Sequence, residues 1–578
     1  MKKSTGIFFC LTVLQVFFAG TIQARMLPQN YAELNYTHVM FEFDQAPGAT
    51  RYLLSIEQTN NGVERKRIGI SCTTIATLVT EGLQFGGTYT WKVFALAGDK
   101  VIDSSPQYHF SIARPEKVQP EQVRFRVQSA GPGSYHNDLL FIDHLGILIN
   151  RKGEPVWFMP EEKLRTTPDE FNYRALRITR DGSFTFIYNG KAMERDINGD
   201  FIWEAPANTS ISGAETETYH HDFQKLPDGT YMACGYHFSN EPHYLDENVT
   251  ARVRYNTLLR FNRENELIGY WNEKDHVDKS VVFRNYSSLE TEIPGTHMNG
   301  FDWRPADSTL YFSFRNTSEV MKVDLKQAGK VVHTWKGPYF VKTESRGIHF
   351  LSQHGPTLTP QGNIVIYNNN IVPEKDSGKV YNPKVLVVSN PTKNKPSEKI
   401  WEYDIVWDKR PDGVQAKEGY ALMLPNNNYL VNTGGAERTL EVSPQKKVVW
   451  ECVYEQYNNE TNSWQPFNNY RCGYTRSLYP RYFTVEQTYR DKKVVYGTVK
   501  VTNAGTEADS YMVEVSGASG KVWYAKTIHL KPGSTQMLNW LQNQQPGIYQ
   551  EAGLKIKIWP VGSMYLARII QNFRLTAR

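Results

Sequence analysis

Three histidines stand at one register of a repeating chain. Imidazoles so placed can ligate a metal, or serve as nucleophile, acid and base around an anion. Counting back eight residues from a turn glycine finds the register. From Gly229 it reaches His221, in Tyr219-His-His-Asp-Phe-Gln-Lys-Leu-Pro-Asp-Gly229. From Gly362 it reaches His354, in Ser352-Gln-His-Gly-Pro-Thr-Leu-Thr-Pro-Gln-Gly362, and from Gly182 it reaches Arg174. Between the two histidine segments, His297-Met-Asn-Gly-Phe-Asp-Trp303 supplies a third histidine, with Asn299 two residues on and so on the same face of a strand. Arg315, in Tyr311-Phe-Ser-Phe-Arg315, falls on the strand that follows. A guanidinium would repel a metal ion but matches the oxygens of sulfate or phosphate, so the neighbours favour an anion and no metal is expected. Arg174 and Arg476, in Tyr474-Thr-Arg-Ser-Leu-Tyr-Pro480, either add to the same field as substrate-binding groups or form surface ion pairs. His220 is expected on the opposite strand face from His221, in packing.

Residues so far apart meet only if the fold gathers them. Aromatics make up 13% of the chain, and short alternating runs outnumber helical periods, so the class is all-β. Between about residues 116 and 483 a unit recurs whose closing strand ends in tryptophan: Gly153-Glu-Pro-Val-Trp157, Gly199-Asp-Phe-Ile-Trp203, Gly269-Tyr-Trp271, Lys330-Val-Val-His-Thr-Trp335, Glu398-Lys-Ile-Trp401 and Lys447-Val-Val-Trp450. The intervals of 46, 68, 64, 66 and 49 residues suit four-stranded blades with variable loops. Opening strands are placed after turns at Asp181-Gly182, Pro227-Asp-Gly229, Asp307-Ser308, Gln361-Gly362 and Asn426-Asn-Asn428, with the first beginning at His136. The reading is a six-bladed β-propeller over 116–483, whose first strands line a central channel and whose tryptophans pack between blades. Residues 25–115 read as a fibronectin-III-like β-sandwich and 484–578 as a second sandwich; both are spacers, docking modules or homodimer contacts.

Lys2 and Lys3, the apolar run Gly6–Ala19 and the small residues up to Ala24 make 1–24 a secretory signal peptide, too short for a membrane span. Export to the periplasm follows. Loss of Lys2 and Lys3 lowers the formal charge from +5 to +3, too weak a balance to argue for nucleic acid. Cys72, Cys234, Cys452 and Cys472 remain, without C-x-x-C spacing; Cys452 and Cys472 are the best disulfide candidates, with free buried thiols the alternative.

These motifs resemble those of the bacterial arylsulfate sulfotransferases, periplasmic enzymes on a six-bladed propeller that use no nucleotide sulfate donor. His297 and Asn299 match the family's His-x-Asn, Arg315 its arginine eighteen residues on, Gln353-His354 its segment with the nucleophilic histidine, and His221 its earlier histidine. The resemblance covers roughly 116–483 and departs at Gly300 and Gly355, where larger residues are expected. It implies transfer of a sulfuryl group from a small aryl sulfate to a phenolic acceptor through a sulfohistidine on His354. His221 and His297 would move protons, Arg315 and Asn299 would hold the sulfuryl oxygens, and no cofactor is called for. The residues alone leave two other readings open: a metal-dependent glycan-processing enzyme, and a non-enzymatic propeller that binds polysaccharide or a surface partner.

Overall fold

The computed structural model describes residues 26–573 except 60–66, 117, 120, 136–137, 165–172, 208, 213–217, 284–285, 287, 337–347, 372–381, 393, 407–416, 491–492, 542–546, 549–550 and 552. The leader expected at 1–24 and the His136–Asn137 start of the first opening strand lie outside the described residues. Regular structure is nearly all β-strand, in ten sheets.

Six of those sheets follow one another along the chain, each an antiparallel meander of four strands at its core. The second runs Arg174–Ile178, Phe184–Tyr188, Lys191–Arg195, Phe201–Glu204; the fourth runs Met298–Arg304, Thr309–Phe314, Glu319–Asp324, Lys330–Lys336. The fifth uses His354–Leu358, Ile364–Asn368, Lys384–Val388 and Lys399–Asp404. The third opens with Phe223–Lys225 and carries a long hairpin, Tyr231–Pro242 with Thr250–Phe261. Three of the second strands, Phe184–Tyr188, Thr309–Phe314 and Ile364–Asn368, are buried along their whole length. A strand covered on both faces reads as a continuous apolar run, which is what these sequences are.

The two ends of this series interlock. The first sheet takes Leu139–Ile142, Ile147–Asn150 and Pro155–Phe158 from the start, and its innermost strand, Tyr474–Thr475, from the end. The sixth sheet takes Val123–Ala130 from the start as a partner for Val448–Asn458. Hydrogen bonds also run from sheet to sheet in order: Arg177 to the Phe223 carbonyl, Gln224 to the Phe301 carbonyl, Asn299 to the Gln353 carbonyl, Thr357 to the Ala421 carbonyl. The turns predicted to precede opening strands join first to second strands instead, so the residues ahead of each turn form the innermost strand.

The tryptophans explain the repeat. Each lies on a fourth strand, and five donate from Nε1 to an oxygen before the fourth strand of another sheet in the series. Trp157 reaches the Ile197 carbonyl at 2.8 Å, Trp271 that of Gly329 at 3.0 Å, Trp335 the Ser397 hydroxyl at 2.7 Å and Trp401 the Pro444 carbonyl at 2.9 Å. Trp450 returns to the Arg151 carbonyl of the first sheet at 3.0 Å. Trp203 makes no such bond and stacks on Tyr231 of the next sheet, ring centroids 3.9 Å apart.

Two further units flank the series. In the N-terminal one, a six-stranded sheet meets the pair Val39–Glu42 and Ala76–Val79 across Phe41, Trp91 and Phe110. In the C-terminal one, sheets of three and four strands share a core of Val485, Val501, Val513, Ile558 and Trp540. Buried ion pairs fasten them: Arg568 to Glu42 at 2.5 Å, and Arg481 to Asp181 in a turn of the second sheet at 3.1 Å. The Cys452–Cys472 disulfide weighed above is not formed. All four cysteines are free thiols, and burial pushes Cys452 up to about 12.

Candidate active site

The inner strands set the site's height. His354 and Arg174 are the first residues of their strands, His297 immediately precedes Met298–Arg304, and His221 lies two residues before Phe223–Lys225. Arg315 follows the second strand of the His297 sheet, and its amide donates to the His297 carbonyl at 3.0 Å, so the ladder holds the pair side by side. His221 and His297 have φ of 58° and 61°, left-handed values that side chains other than glycine adopt at a cost. Around His221 the Asp222 amide bonds back to the His220 carbonyl at 2.6 Å, a three-residue γ-turn of the strained kind.

The rings gather around Tyr470. His221 and His297 meet edge to face with centroids 4.9 Å apart. The Tyr470 ring lies 6.1 Å from His221 and 6.3 Å from His354, with the Arg174 guanidinium 5.2 Å and the Arg471 guanidinium 5.3 Å from its centroid. Among the described residues neither Arg315 nor Arg174 has a carboxylate within ion-pair distance. Two cations without counter-ions beside three imidazoles make an anion site by charge alone.

The histidines are held neutral. Burial lowers His297 to about 4, helped by Arg315, and takes His354 and His221 well below the ordinary histidine range. After burial, the charges that lower His354 are Arg315, His297 and Arg471. Tyr470 moves the other way, pushed up to about 12 by burial, and so keeps its proton.

Beneath the rings lies an ion network. Asp222 takes Arg177 on one oxygen at 2.6 Å and Arg471 on the other at 2.8 Å. Burial alone would raise its pKa; the two arginines outweigh that and hold it below the usual carboxylate range. The glycines at 300 and 355, where larger residues were expected, are required by this packing. A Cβ on Gly300 would stand 2.7 Å from Arg471 Nη2, and one on Gly355, at φ 29°, 2.7 Å from the Tyr420 ring.

His221, His297, His354, Arg315, Arg174 and Asn299 therefore come to one place. Asn299 is buried, and its amide nitrogen donates to the Gln353 carbonyl at 2.7 Å. Arg476 does not join them. It is exposed, donates to the Tyr135 hydroxyl at 2.8 Å, and lines a groove of about 770 Å³ against the N-terminal unit. His220 is buried and packs, stacked on Tyr236, but it does not face away from His221: the two rings bond to each other, because the γ-turn breaks strand alternation there. Sequence reasoning also missed Tyr470, Arg471, Asp222 and Arg177. Arg177 sits three residues after Arg174 on an inner strand, and Asp222 directly follows His221, signals that the register could have carried. Among the described residues, no three His, Cys, Asp or Glu side chains are grouped to hold a metal ion.

The architecture and the site define a β-rich protein that gathers histidine and arginine for anion chemistry. A model of the arylsulfotransferase (ASST) family matches residues 126–475, more than half of the chain, and the chain belongs to that family. No curated protein matches it. Of solved structures, a Bacteroides caccae protein described as of unknown function is 14% identical over 62% of this chain and 100% of its own, TM-score 0.35. A streptogramin B lyase is 9% identical over 78% of this chain and 98% of its own, TM-score 0.29. A Kuenenia stuttgartiensis hydrazine synthase is 13% identical over 60% and 97%, TM-score 0.32. These overlaps are loose, so the class rests on the family match, which implies an aryl sulfotransferase.

Proposed function

We propose that the protein is an exported, periplasmic enzyme that moves a sulfuryl group from an aryl sulfate to a phenol through a sulfohistidine on His354, with no nucleotide donor. On this reading the six meander sheets are blades of a closed propeller between two sandwiches, and 1–24 is a cleaved leader. The observation that carries it is the set of three neutral imidazoles beside Arg315 and Arg174, neither of which has a carboxylate partner among the described residues. Neutral imidazole is the nucleophilic form, and a guanidinium with no carboxylate partner donates to the sulfate oxygens without first giving up another anion.

The steps follow from the groups. A nitrogen of His354 forms a bond to sulfur while the bond from sulfur to the aryl oxygen breaks. Arg315 and Arg174 stabilise the three spectator oxygens, with the second amide hydrogen of Asn299 available to one of them. Phenol has a pKa near ~10, so the leaving oxygen departs readily as it takes up the proton that neutral His354 gives up on attack, relayed by His221 or His297. The second phenol returns the proton and takes the sulfuryl group, which makes the kinetics ping-pong. Intact-mass measurement after incubation with p-nitrophenyl sulfate and no acceptor is the test. One added sulfuryl group, absent in His354→Ala, is expected; an unmodified mass with p-nitrophenol released would refute the covalent route.

A further inference from the structure

His220 and His221 face each other nitrogen to nitrogen, Nδ1 to Nδ1, at 2.7 Å. One hydrogen lies between them, and the rest of the network says whose it is. The Nε2 of His220 is 3.0 Å from the Gly235 carbonyl oxygen, which only accepts, so Nε2 carries a hydrogen. Burial holds His220 neutral, at about 3, which leaves its Nδ1 bare. The shared hydrogen therefore belongs to His221, and the Nε2 of His221 is a bare lone pair. Tyr236, stacked on His220 with centroids 3.8 Å apart, keeps that ring in plane.

His354 is arranged in the opposite sense. Its Nδ1 is 2.6 Å from the amide nitrogen of Asn369, and the same nitrogen is 2.8 Å from the Ser352 carbonyl oxygen. That carbonyl identifies the nitrogen as the donor end of the amide; the reversed amide would set oxygen against oxygen. Asn369 Oδ1 is left with no partner among the described residues, so the orientation is kept although it satisfies one end only. Asn369 donates to both neighbours, the Nδ1 of His354 accepts, and a neutral ring then carries its hydrogen on Nε2.

We infer that His220 and Asn369 are positioning residues that lock His221 and His354 in opposite tautomers, a bare Nε2 on the first and a protonated Nε2 on the second. The consequence rests on the transfer reading above. The Nε2 of His354 cannot attack while it holds its hydrogen, and the bare Nε2 of His221 is the matching acceptor. As the N–S bond forms, the proton passes from His354 to His221, and as the S–O bond breaks it passes on to the phenolate oxygen. An aryl sulfate and a protonated histidine nitrogen thus become a sulfohistidine and a neutral phenol, with nothing gained or lost. The second half-reaction runs the same proton backwards.

The test uses full-length protein labelled with 15N-histidine. Two-bond 1H–15N correlation spectra report which nitrogen of each neutral ring bears hydrogen, with no substrate present. The expected result is Nδ1–H for His221 and Nε2–H for His354. His220→Gln, whose side-chain carbonyl can still accept, should keep the His221 tautomer, whereas His220→Phe should lose it and lower kcat at least tenfold with little change in KM. Asn369→Asp turns a donor into an acceptor and should move the His354 hydrogen to Nδ1. The same tautomer on both wild-type rings, or an unchanged His354 pattern in Asn369→Asp, overturns the inference; these readouts stand even if His220→Phe fails to fold. A missing sulfuryl adduct would sink the transfer reading and leave the tautomers untouched.

Discussion

Replacing Asp222 by Asn tests the ion network beneath the histidines, because it keeps the shape and removes the charge. Asp222 is 1% exposed at its side chain and Arg471 5%, so neither loses much to solvent screening, while Arg177 at 28% is partly hydrated. At an effective dielectric near 20, two unit charges about 4 Å apart attract by ~4 kcal/mol, but much of that only offsets desolvation. The measurable quantity is the cost of leaving Arg471 buried without its anion, about 3–5 kcal/mol for breaking one buried pair. The carboxylate also accepts the amides of Phe223 and Phe301 at 2.9 and 3.1 Å, and an asparagine oxygen can replace one of the two. Its folded-state pKa is depressed, so the stabilisation is present above the unfolded value near ~4 and is lost as pH falls through the folded one. Denaturant unfolding followed by tryptophan fluorescence reads it, since six tryptophans lie between the sheets. Asp222→Asn should lower stability by about 3–5 kcal/mol at pH 7, and Arg471→Met in that background should restore part of it. A loss below about 1 kcal/mol at pH 7 would refute the account of Asp222 as the anion that permits two arginines there.

Three further outcomes are expected. Trp271→Phe should destabilise by about 1 kcal/mol more than Trp203→Phe in the same unfolding assay, because only Trp271 gives up a hydrogen bond, to the Gly329 carbonyl. Arg315→Met should cost about 10²–10³ in turnover of p-nitrophenyl sulfate, the usual loss when one charge-stabilising donor is removed, with the fold intact by circular dichroism. His297 is lowered to about 4 in the folded chain, so between that value and the unfolded value near 6.5 the unfolded state binds more protons and stability falls as pH drops. Its share is about 3 kcal/mol, and His297→Asn should flatten the dependence of the unfolding midpoint on pH between 7 and 4.

What the sequence disclosed follows from which constraints are local. The tryptophans were legible because each lies on a fourth strand and the bond that five of them make falls at a fixed place in the repeat, the turn before a fourth strand, so their spacing survives loops of any length. The register of Arg174, His221 and His354 was legible because in their sheets the link from inner strand to second strand is short and of one length, which makes the turn glycine a ruler; the His297 sheet turns through Asp307-Ser308 without one. Tyr470 and Arg471 were not, because they enter the site from the closing segment, which has no such ruler. Their places are set by the pairing of Tyr474–Thr475 with Leu139–Ile142 across the whole series. The expectation for Arg476 failed on the same segment: the chain runs outward from Tyr470, and Arg476 arrives at Tyr135. His220 was misplaced by assuming strand alternation through a residue whose φ is 58°.

Gly300 and Gly355 carry the same logic one step further. Their lack of a side chain is not a weakness of the inner strands but the space that Arg471 and Tyr420 occupy, and Arg471 in turn lowers His354 and completes Asp222. A cation placed beside a histidine keeps that histidine neutral only while no carboxylate stands between them. Asp222 faces the arginines of the lower layer and leaves Arg315 and Arg174 uncompensated in the upper one. The division has a direct chemical meaning. Anionic charge spent below the rings holds the fold, and among the described residues no carboxylate lies within ion-pair distance of Arg315 or Arg174, which leaves them for a ligand that brings its own negative charge. An added carboxylate in the upper layer would therefore act twice, by occupying Arg315 and by raising the histidine pKa values toward protonation, and both effects oppose transfer.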